Sequence, residues 1–342
     1  MRRVITLKDL AKALNVSVTT VSKALNGHPD ISPKRKKEIQ DYADKMGYIP
    51  NQVAKSFRRQ KTKLIGILLS NNYNPFNARM IHGIEETSST YGYRCVLMNS
   101  DDDAKKERQL IDELKGLNVA GVIMTPISCE RSGCELLKKY DIPYVLVKRY
   151  ISKDEDTYVV VDDYKAAYIA TKHLCSYKND KVYFLNFLHN VASSKLRIEG
   201  YKAALKDCGM TYDPSCVVMD CKDLTDGYEN MKIILENHKP PFSVLCYSDY
   251  IAAGAMCAIQ ERGYSLPYDV ALAGTDDIEI LSFMRPRLTT VAVPKRRLGV
   301  RSAELLFEMI DRKEKAEMND EDFVEEPKRE IVAPELILRE TS

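Results

Sequence analysis

The stretch ITLKDLAKALNVSVTTVSKALNG, residues 5–27, predicts two short helices joined by a tight polar turn. Thr6 followed by Asp9 is typical of a capping box, and apolar side chains then recur at i, i+3, i+4 and i+7. Ser17 suits the N-cap of a second helix that ends at Asn26-Gly27. Helices this short persist in water only when they pack on each other. The pattern is typical of a helix-turn-helix, whose second helix enters the DNA major groove, and also of an ordinary helical hairpin.

The charge of the chain is distributed unevenly. Residues 1–63 hold 15 Lys or Arg and 5 Asp or Glu, a net charge of +10. The remaining residues hold 36 Lys or Arg and 44 Asp or Glu, a net charge of −8. A cationic head on an acidic body indicates that only the head meets a polyanion.

Length and composition restrict the class of protein. The 342 residues are enough for two or three compact units. The N-terminus does not resemble a signal peptide, and no apolar run reaches the roughly 18 residues that span a bilayer. The nine cysteines are scattered, and the close pairs Cys129/Cys134 and Cys216/Cys221 lack the spacing of a zinc site. We therefore expect a cytoplasmic protein with reduced thiols and with no metal, cofactor or membrane contact.

Two cationic segments follow the first helix pair. A third helix is predicted to begin at Ser32-Pro33, with Lys34–Lys37 in its first turn, where the helix dipole disfavours cations. Such a run fits contact with phosphates, or a solvated surface. Asn51 is a plausible N-cap for the segment 52–63, which has too little apolar surface to fold alone. We expect this segment to order only against a partner helix and DNA.

From Leu64 onwards, near-continuous apolar strands alternate with amphipathic helices. This alternation predicts parallel sheets covered by helices on both faces. The strands are too numerous for one sheet, and a polar break at 152–157 suggests two similar α/β subdomains. The default ligand site is the cleft between them, because ligands of open α/β sheets bind beyond the carboxyl ends of the strands.

The predicted boundaries follow from these patterns. They are a helix-turn-helix domain at 1–50, a hinge helix and linker at 51–62, and a core at 63–342. Within the core we predict a first subdomain at about 63–161 and 294–325, and a second at about 162–291 and 328–342.

Motifs spread over almost the whole chain carry a resemblance to a known family. They are residues 6–27 in the head, YIPNQVAKSF at 48–57, NPF at 74–76, VVVDD at 159–163, LRIEGYKAAL at 196–205, SDYIAAGAM at 248–256, GTDDIEI at 274–280, LTTVAVP at 288–294 and PELILRETS at 334–342. Their order and spacing resemble those of the LacI/GalR family of bacterial transcription regulators. Each motif is weak alone, but the series is specific.

The resemblance implies a small all-α head and hinge helix joined to a periplasmic-binding-protein-like core of two doubly wound parallel-sheet subdomains. It also implies a homodimer that binds pseudo-palindromic operator DNA and senses a small effector, commonly a sugar or sugar derivative. The end of the chain has no sustained leucine heptads, so we expect a dimer and not a tetramer.

The resemblance assigns DNA contacts to residues of the head and hinge. The major-groove residues are Val18, Thr19 and Lys23; the phosphate contacts are Thr6, Ser17, Ser22 and Asn26; the hinge and minor-groove residues are Asn51, Val53, Ala54 and Phe57. Lys23 stands where many relatives have Arg, and Lys lacks the bidentate fork of Arg. Phe57 stands where a Leu pair usually enters the minor groove. Helical spacing also places Val18 near Val21, so it could serve the core of the head.

For the effector, the resemblance implies contacts from Phe76, Asn77, Lys148, Ser193, Arg197, Ser248 and Asp276. Structural roles remain open, since Arg197 could pair with Glu199 or with a carboxylate across the cleft, and Asp276-Asp277 could cap a strand end. Ser248 stands where many relatives have Asn, and Lys148 where many have Asp. Lys148 thus allows an acidic or phosphorylated ligand, or is a surface ammonium.

Two other classes of protein compete with a ligand-controlled repressor. The core alone would suit a solute-binding protein, but the cationic head and the N-terminus disfavour that reading. An enzyme could use paired carboxylates at Asp276/Asp277 or Asp162/Asp163. Nothing in the sequence supplies a nucleophile, a phosphate-binding glycine loop or a metal set beside them, so we predict that the chain is not an enzyme.

Overall fold

The computed structural model describes residues 5–48, 62–127, 131–177, 179–323 and 326–342. The chain divides into two compact units, residues 1–60 and 61–342, which we call the head and the core. The predicted hinge residues Asn51, Val53, Ala54 and Phe57 lie outside the described residues. No helix of the described part is both long and apolar enough to cross a membrane.

The head consists of three described helices: α1 Leu7–Ala13, α2 Val18–Leu25 and α3 Pro33–Lys45. Thr6 caps α1 in a complete capping box with Asp9, and Ser17 and Ser32 cap α2 and α3. The helices bury a small apolar core, formed by Leu10, Ala11, Val21, Ala24, Ile39 and Ala43. The two short helices of the first stretch therefore share this core with α3.

The first sheet of the core has six parallel strands in the order β11-β5-β4-β3-β1-β2. Their bounds are β1 Leu64–Leu69, β2 Arg94–Asn99, β3 Gly121–Met124, β4 Tyr144–Val147, β5 Tyr158–Val161 and β11 Arg329–Val332. Its helices are α4 Phe76–Thr90, α5 Ala104–Gly116, α6 Ser132–Lys139 and α11 Lys295–Asn319. Apolar clusters on both faces bury the central strands, which explains why those strands read as continuous apolar runs.

The second sheet has the order β12-β10-β9-β8-β6-β7. Its strands are β6 Val182–Leu185, β7 Val217–Val218, β8 Phe242–Cys246, β9 Val270–Asp276, β10 Thr289–Ala292 and β12 Glu335–Ile337. Its helices are α7 Asp163–Cys175, α8 Ala192–Asp207, α9 Leu224–Asn237 and α10 Asp249–Glu261, with 3-10 turns at Pro214–Cys216 and Glu279–Ser282. The strands are parallel except β12, which pairs antiparallel with β10. The predicted fold class is confirmed.

Close contact between α4 and α11 depends on two glycines. A Cβ on Gly83 would lie 2.4 Å from the Arg296 carbonyl oxygen, and one on Gly299 would lie 2.0 Å from that of Met80. Any larger residue at either position would push the two helices apart. Helix α11 runs to Asn319 and covers the first sheet next to α4.

The chain crosses between the subdomains three times, after β5, after β10 and after β11. The prediction that the whole segment 328–342 joins the second subdomain is wrong for Arg329–Val332, which pairs with β5 in the first sheet. Only Glu335–Ile337 pairs in the second sheet. The apolar run across 330–338 is interrupted at Pro334, which has no backbone N–H for a sheet ladder, so each half pairs with a different sheet.

Candidate functional site

The outer surface of α2 carries the residues predicted to read DNA bases. Val21 and Ala24 are buried in the head, whereas Val18 is 40% exposed and Thr19 is also exposed. Val18 therefore contributes little to the core, and its methyl groups are available to a ligand. The start of α2 presents a small apolar and a hydroxyl group, which suits contact with thymine methyl groups and base edges.

The predicted phosphate contacts lie at helix ends. The hydroxyl of Ser17 accepts the Thr20 N–H at 3.0 Å, and that of Thr6 accepts the Asp9 N–H at 3.3 Å. The Asn26 side chain donates to the Ser22 carbonyl at 2.8 Å at the end of α2. Thr6, Ser17 and Asn26 are exposed, and Ser22 is half-buried. Helix N-termini favour anions, so the N-terminal ends of α1 and α2, at Thr6 and Ser17, are electrostatically suited to phosphates.

Lys23 is already engaged within the head. Its ammonium lies 2.9 Å from the Asp30 carboxylate, and the two side chains are 40% and 56% exposed. The hydrogen bond from Lys23 lowers the pKa of Asp30 below its usual value. A DNA base that accepts from Lys23 must therefore compete with Asp30.

The four cations at the start of α3, Lys34–Lys37, differ in their contacts. Arg35 pairs with Glu38 at 2.6 Å and donates to the Leu14 carbonyl, and Lys36 donates to the Gly27 carbonyl at 3.0 Å. These two cations hold the head together. Lys34 and Lys37 are exposed, so two of the four remain on the surface for phosphates.

A cleft of about 720 Å³, counted with its open mouth, lies between the two sheets of the core. Its lining residues are Ser70, Asn71, Asn74, Phe76, Asn77, Lys148, Arg149, Val161, Asp163, Phe187, Ser193, Arg197, Lys222, Tyr247, Ser248, Asp276 and Val293. All seven residues predicted for the effector are among them. The first and second subdomains each form one wall.

The second wall is organised around Arg197 on α8. Its Nε donates to the Asp163 carboxylate at 2.7 Å, its Nη1 donates to the Tyr247 carbonyl, and its guanidinium lies 4.0 Å from the centre of the Tyr247 ring. Ser193 shares a hydrogen bond of 2.8 Å with the Tyr247 hydroxyl. Burial raises the pKa of Asp163, against the opposing effect of Arg197. The carboxylate that pairs with Arg197 is thus Asp163 on the same wall, and neither Glu199 nor a carboxylate across the cleft.

Asp276 ends β9 in a backbone conformation that few non-glycine residues adopt, with φ of 124°. Its carboxylate accepts from the Asn74 amide of the opposite wall at 3.3 Å. Lys295 holds the backbone here by donating to the carbonyls of Asp276 and Asp277. Burial raises the pKa of Asp276. Backbone strain of this kind clusters at ligand sites, and it leaves a buried acceptor facing the cleft.

The first wall carries Lys148 directly after β4. Its backbone is left-handed, with φ of 68°, and its ammonium donates to the Asn77 amide oxygen at 3.2 Å and lies 4.5 Å from the centre of the Phe76 ring. Burial lowers the pKa of Lys148 to about 8. Lys148 therefore faces the cleft and is not a surface ammonium.

The neighbouring Arg149 is 7% exposed. It donates to the Ser70 hydroxyl at 3.4 Å and to the Pro126 carbonyl at 3.3 Å, and it lies 3.6 Å from the Asp102 carboxylate. Its guanidinium also lies 5.1 Å from the centre of the Phe187 ring on the opposite wall. Arg149 adds a second cation to the first wall.

Ser248 has a structural task in the same cleft. It is the N-cap of α10, and its hydroxyl accepts the Ile251 N–H at 3.2 Å. The side chain is buried at the edge of the cleft. Its predicted effector contact has to coexist with this cap.

Several lining residues lie outside the set predicted for the effector, and most of them share one signal. They follow the carboxyl ends of strands, namely Ser70 and Asn71 after β1, Arg149 after β4, Asp163 after β5, Phe187 after β6, Lys222 after β7 and Tyr247 after β8. Ligands of open parallel sheets bind at these ends. Applying that rule to every strand would have found them.

The carboxylate pairs considered for an enzyme have structural partners. Asp162 caps α7 through the Lys165 N–H, Asp163 pairs with Arg197, and Asp277 pairs with Arg339. Across residues 5–48 and the described parts of the core, no cluster of His, Cys, Asp and Glu could hold a metal ion. Three of the four carboxylates, Asp162, Asp163 and Asp277, are thus engaged in a helix cap or an ion pair.

Comparisons with known proteins agree with this arrangement. Residues 6–51 match a family described as bacterial regulatory proteins of the lacI family, and residues 62–328 match one described as periplasmic binding proteins and the sugar binding domain of the LacI family.

Individual proteins match over nearly their full lengths. The chain is 33% identical to the HTH-type transcriptional regulator RegA of Clostridium saccharobutylicum, covering 92% of this chain and 95% of RegA. It is 30% identical to the HTH-type transcriptional repressor PurR of Haemophilus influenzae, covering 98% of both. A LacI family regulator from Enterococcus faecium with bound ribose is 25% identical, with a TM-score of 0.70 over 82% of this chain and 98% of that one.

The relatives are transcription regulators, which confirms the predicted class and the expectation that the chain is not an enzyme. The chain belongs to the LacI family of bacterial regulatory proteins.

Proposed function

We propose that the chain acts in the cytoplasm as a homodimeric repressor that binds a pseudo-palindromic operator. A small effector, a sugar or sugar derivative, would bind in the cleft and set the operator affinity. The main support is that seven residues, named from the family resemblance and spread over 201 positions of the sequence, line one cleft and come from both of its walls. A sugar is supported by the ribose bound to the E. faecium relative.

Residue roles in the head are part of this proposal. Val18, Thr19 and Lys23 would contact bases, and Thr6, Ser17, Ser22 and Asn26 would lie near phosphates. The hinge residues Asn51, Val53, Ala54 and Phe57 would contact the minor groove, with Phe57 as a wedge that unstacks a base step. The exposure of Val18, Thr19 and the helix caps supports the first two assignments.

The cleft gives a physical basis for control. The hydrogen bond between Asn74 and Asp276 joins the two walls, as does the approach of Arg149 to the Phe187 ring. An effector that inserts between these groups would change the relative stability of open and closed cores. That change would order or melt the hinge and so alter DNA affinity, and DNA would change effector affinity by the same factor.

The experiment is fluorescence anisotropy of the full chain with an operator obtained by selection from random duplex DNA. We expect tight binding, with an association constant that falls as salt is added. Its logarithm should decrease linearly with the logarithm of salt concentration, with a slope of about 0.9 per phosphate neutralised. Lys23→Gln should relax base preference, whereas Lys8→Gln on the exposed part of α1 should leave it unchanged. A flat salt response would contradict the role of the head, and an operator affinity that no cleft ligand alters would contradict the control.

A further inference from the structure

The charges that line the cleft do not balance. Four cations, Lys148, Arg149, Arg197 and Lys222, face two carboxylates, Asp163 and Asp276. Arg197 and Asp163 neutralise each other at 2.7 Å on the second wall. The first wall thus holds two adjacent cations with only the more distant Asp102, 3.6 Å from Arg149, beside them.

Of the two cations on the first wall, Lys148 has the fewer neutralising contacts. Its ammonium has a neutral amide oxygen and an aromatic face as neighbours, and within the described ranges no carboxylate lies at ion-pair distance from it. The carboxylates of Asp102 and Asp276 act on this ammonium only at longer range, and a partly desolvated cation without a direct ion pair is unfavourable for the fold. The backbone of Lys148 is also held in the left-handed region, which is costly for a non-glycine residue. A ligand anion that pairs with the ammonium would offset both the desolvation of the cation and the strain of its backbone.

Arg149 is a loosely satisfied neighbour. None of its three polar contacts is shorter than 3.3 Å, and its Nε has no hydrogen-bond partner among the described residues. A buried donor left without a partner costs about 1–3 kcal/mol. A guanidinium in this state can turn toward a planar or tetrahedral oxyanion, to which it binds with two parallel hydrogen bonds.

The opposite wall suits a different part of the same ligand. Asp276 offers a buried carboxylate to hydroxyl donors, and the Ser193–Tyr247 pair offers hydroxyl groups. The rings of Phe76 and Phe187 supply apolar faces for the carbon skeleton. The two walls together match a polyhydroxylated molecule with an oxyanion at one end.

Given that an effector binds this cleft, as proposed above, we propose that the effector is an anionic sugar derivative, a sugar phosphate or a sugar acid. Its oxyanion is bound by Lys148 and Arg149, and its hydroxyl groups by Asp276 and the second wall. Lys148 is the residue that distinguishes charged from neutral ligands. A neutral sugar would leave Lys148 without a counter-ion and is the competing occupant.

The test is isothermal titration calorimetry of the full chain with matched probes. These are glucose with glucose 6-phosphate and gluconate, ribose with ribose 5-phosphate, and inorganic phosphate alone. We expect at least one charged sugar to bind about tenfold more tightly than its neutral counterpart, which corresponds to about 1.4 kcal/mol. Preference for the phosphate or for the carboxylate distinguishes the two sources of the oxyanion.

Two variants locate the anion. Lys148→Gln should abolish most of the preference for the charged sugar, whereas Lys165→Gln, an exposed lysine on α7 outside the cleft, should keep it. Operator binding by Lys148→Gln shows that this variant is folded. Equal binding of neutral and charged sugars, a preference that survives Lys148→Gln, or no heat with any charged probe would overturn the proposal.

Failure of this proposal is distinguishable from failure of the proposed function. If the chain binds its operator but prefers neutral sugars, the repressor function stands and only the anion site is wrong. If no operator is bound, the repressor function fails, and the calorimetry still reports on the anion site.

Discussion

Two ion pairs of nearly the same length occupy the head and the core. Lys23 and Asp30 lie 2.9 Å apart with side chains 40% and 56% exposed, and Arg197 and Asp163 lie 2.7 Å apart with side chains 8% and 6% exposed. Water and salt screen the first pair, so it is worth little and exchanges readily for a phosphate or a base. The second pair cannot exchange with water, and losing either partner leaves a buried charge.

This difference matches what each surface has to do. The head must release its cations to DNA, and an exposed pair lets it do so at small cost. The cleft must hold its groups fixed until a small ligand arrives, and the buried pair keeps Arg197 in one orientation beside Tyr247. Lys148 is intermediate, because it is half-buried like a cleft residue but has no fixed carboxylate partner within the described core.

The largest expected effect comes from breaking the buried pair. Asp163→Ala leaves the Arg197 guanidinium desolvated without a counter-ion, so we expect a loss of about 3–5 kcal/mol in the free energy of unfolding. Urea unfolding of the full chain, followed by circular dichroism, measures the loss in the core transition. The double variant Asp163→Leu with Arg197→Met removes both charges and should recover much of it. A loss below about 1 kcal/mol for Asp163→Ala would show that water reaches the pair.

A smaller effect of opposite sign is expected at Lys148. Burial lowers its pKa to about 8, below the usual value for lysine, so the unfolded chain binds the additional proton between these two pH values. The charged Lys148 therefore destabilises the folded state fully below pH 8, and this destabilisation disappears as the pH rises through the pKa of lysine in the unfolded chain.

Lys148→Gln should consequently raise the free energy of unfolding by about 2 kcal/mol at pH 7 without ligand, and this gain should shrink toward pH 10. The charged groups around Lys148, which are Arg149, Arg197, Asp102 and Asp276, are present in both proteins, so their titration cancels to first order in the difference. Melting temperatures of the two proteins at pH 7 and pH 10 test this. A variant that is less stable at pH 7 would mean that the ammonium has a stabilising partner.

The smallest effect is expected at the exposed pair. Asp30→Asn releases Lys23 and should leave the melting temperature of the head unchanged within error, since the pair is solvent-screened. It should strengthen non-specific DNA binding a few-fold at low salt, because Lys23 no longer has to leave a carboxylate. Asp44→Asn, which changes the net charge equally but frees no cation of α2, is the control in anisotropy with unrelated duplex DNA. Equal gains from both variants would assign the effect to net charge alone.

Sequence patterns predicted most of this molecule. Strand and helix periodicity, capping residues at Thr6, Ser17 and Ser32, and the order of family motifs determined the head, the two α/β subdomains and the cleft between them. These are local signals, because a buried strand or a helix cap is specified by a few neighbouring residues. The seven residues predicted for the effector came from the family resemblance, and all seven line the cleft.

The tertiary structure decided which distant groups meet. The pairing of Arg329–Val332 with β5 could not be predicted from the sequence, because an apolar segment does not indicate which sheet has a free edge. It left open whether Arg197 pairs with a carboxylate and which one, and the fold brought Asp163, 34 positions away, to 2.7 Å. The sequence was equally compatible with Lys148 on the surface or in the cleft. In the fold, Phe76 and Asn77 pack against its ammonium, which is thereby partly removed from water and has no direct ion pair within the described residues. Charge neutralisation and desolvation depend on three-dimensional neighbours, which local sequence does not specify.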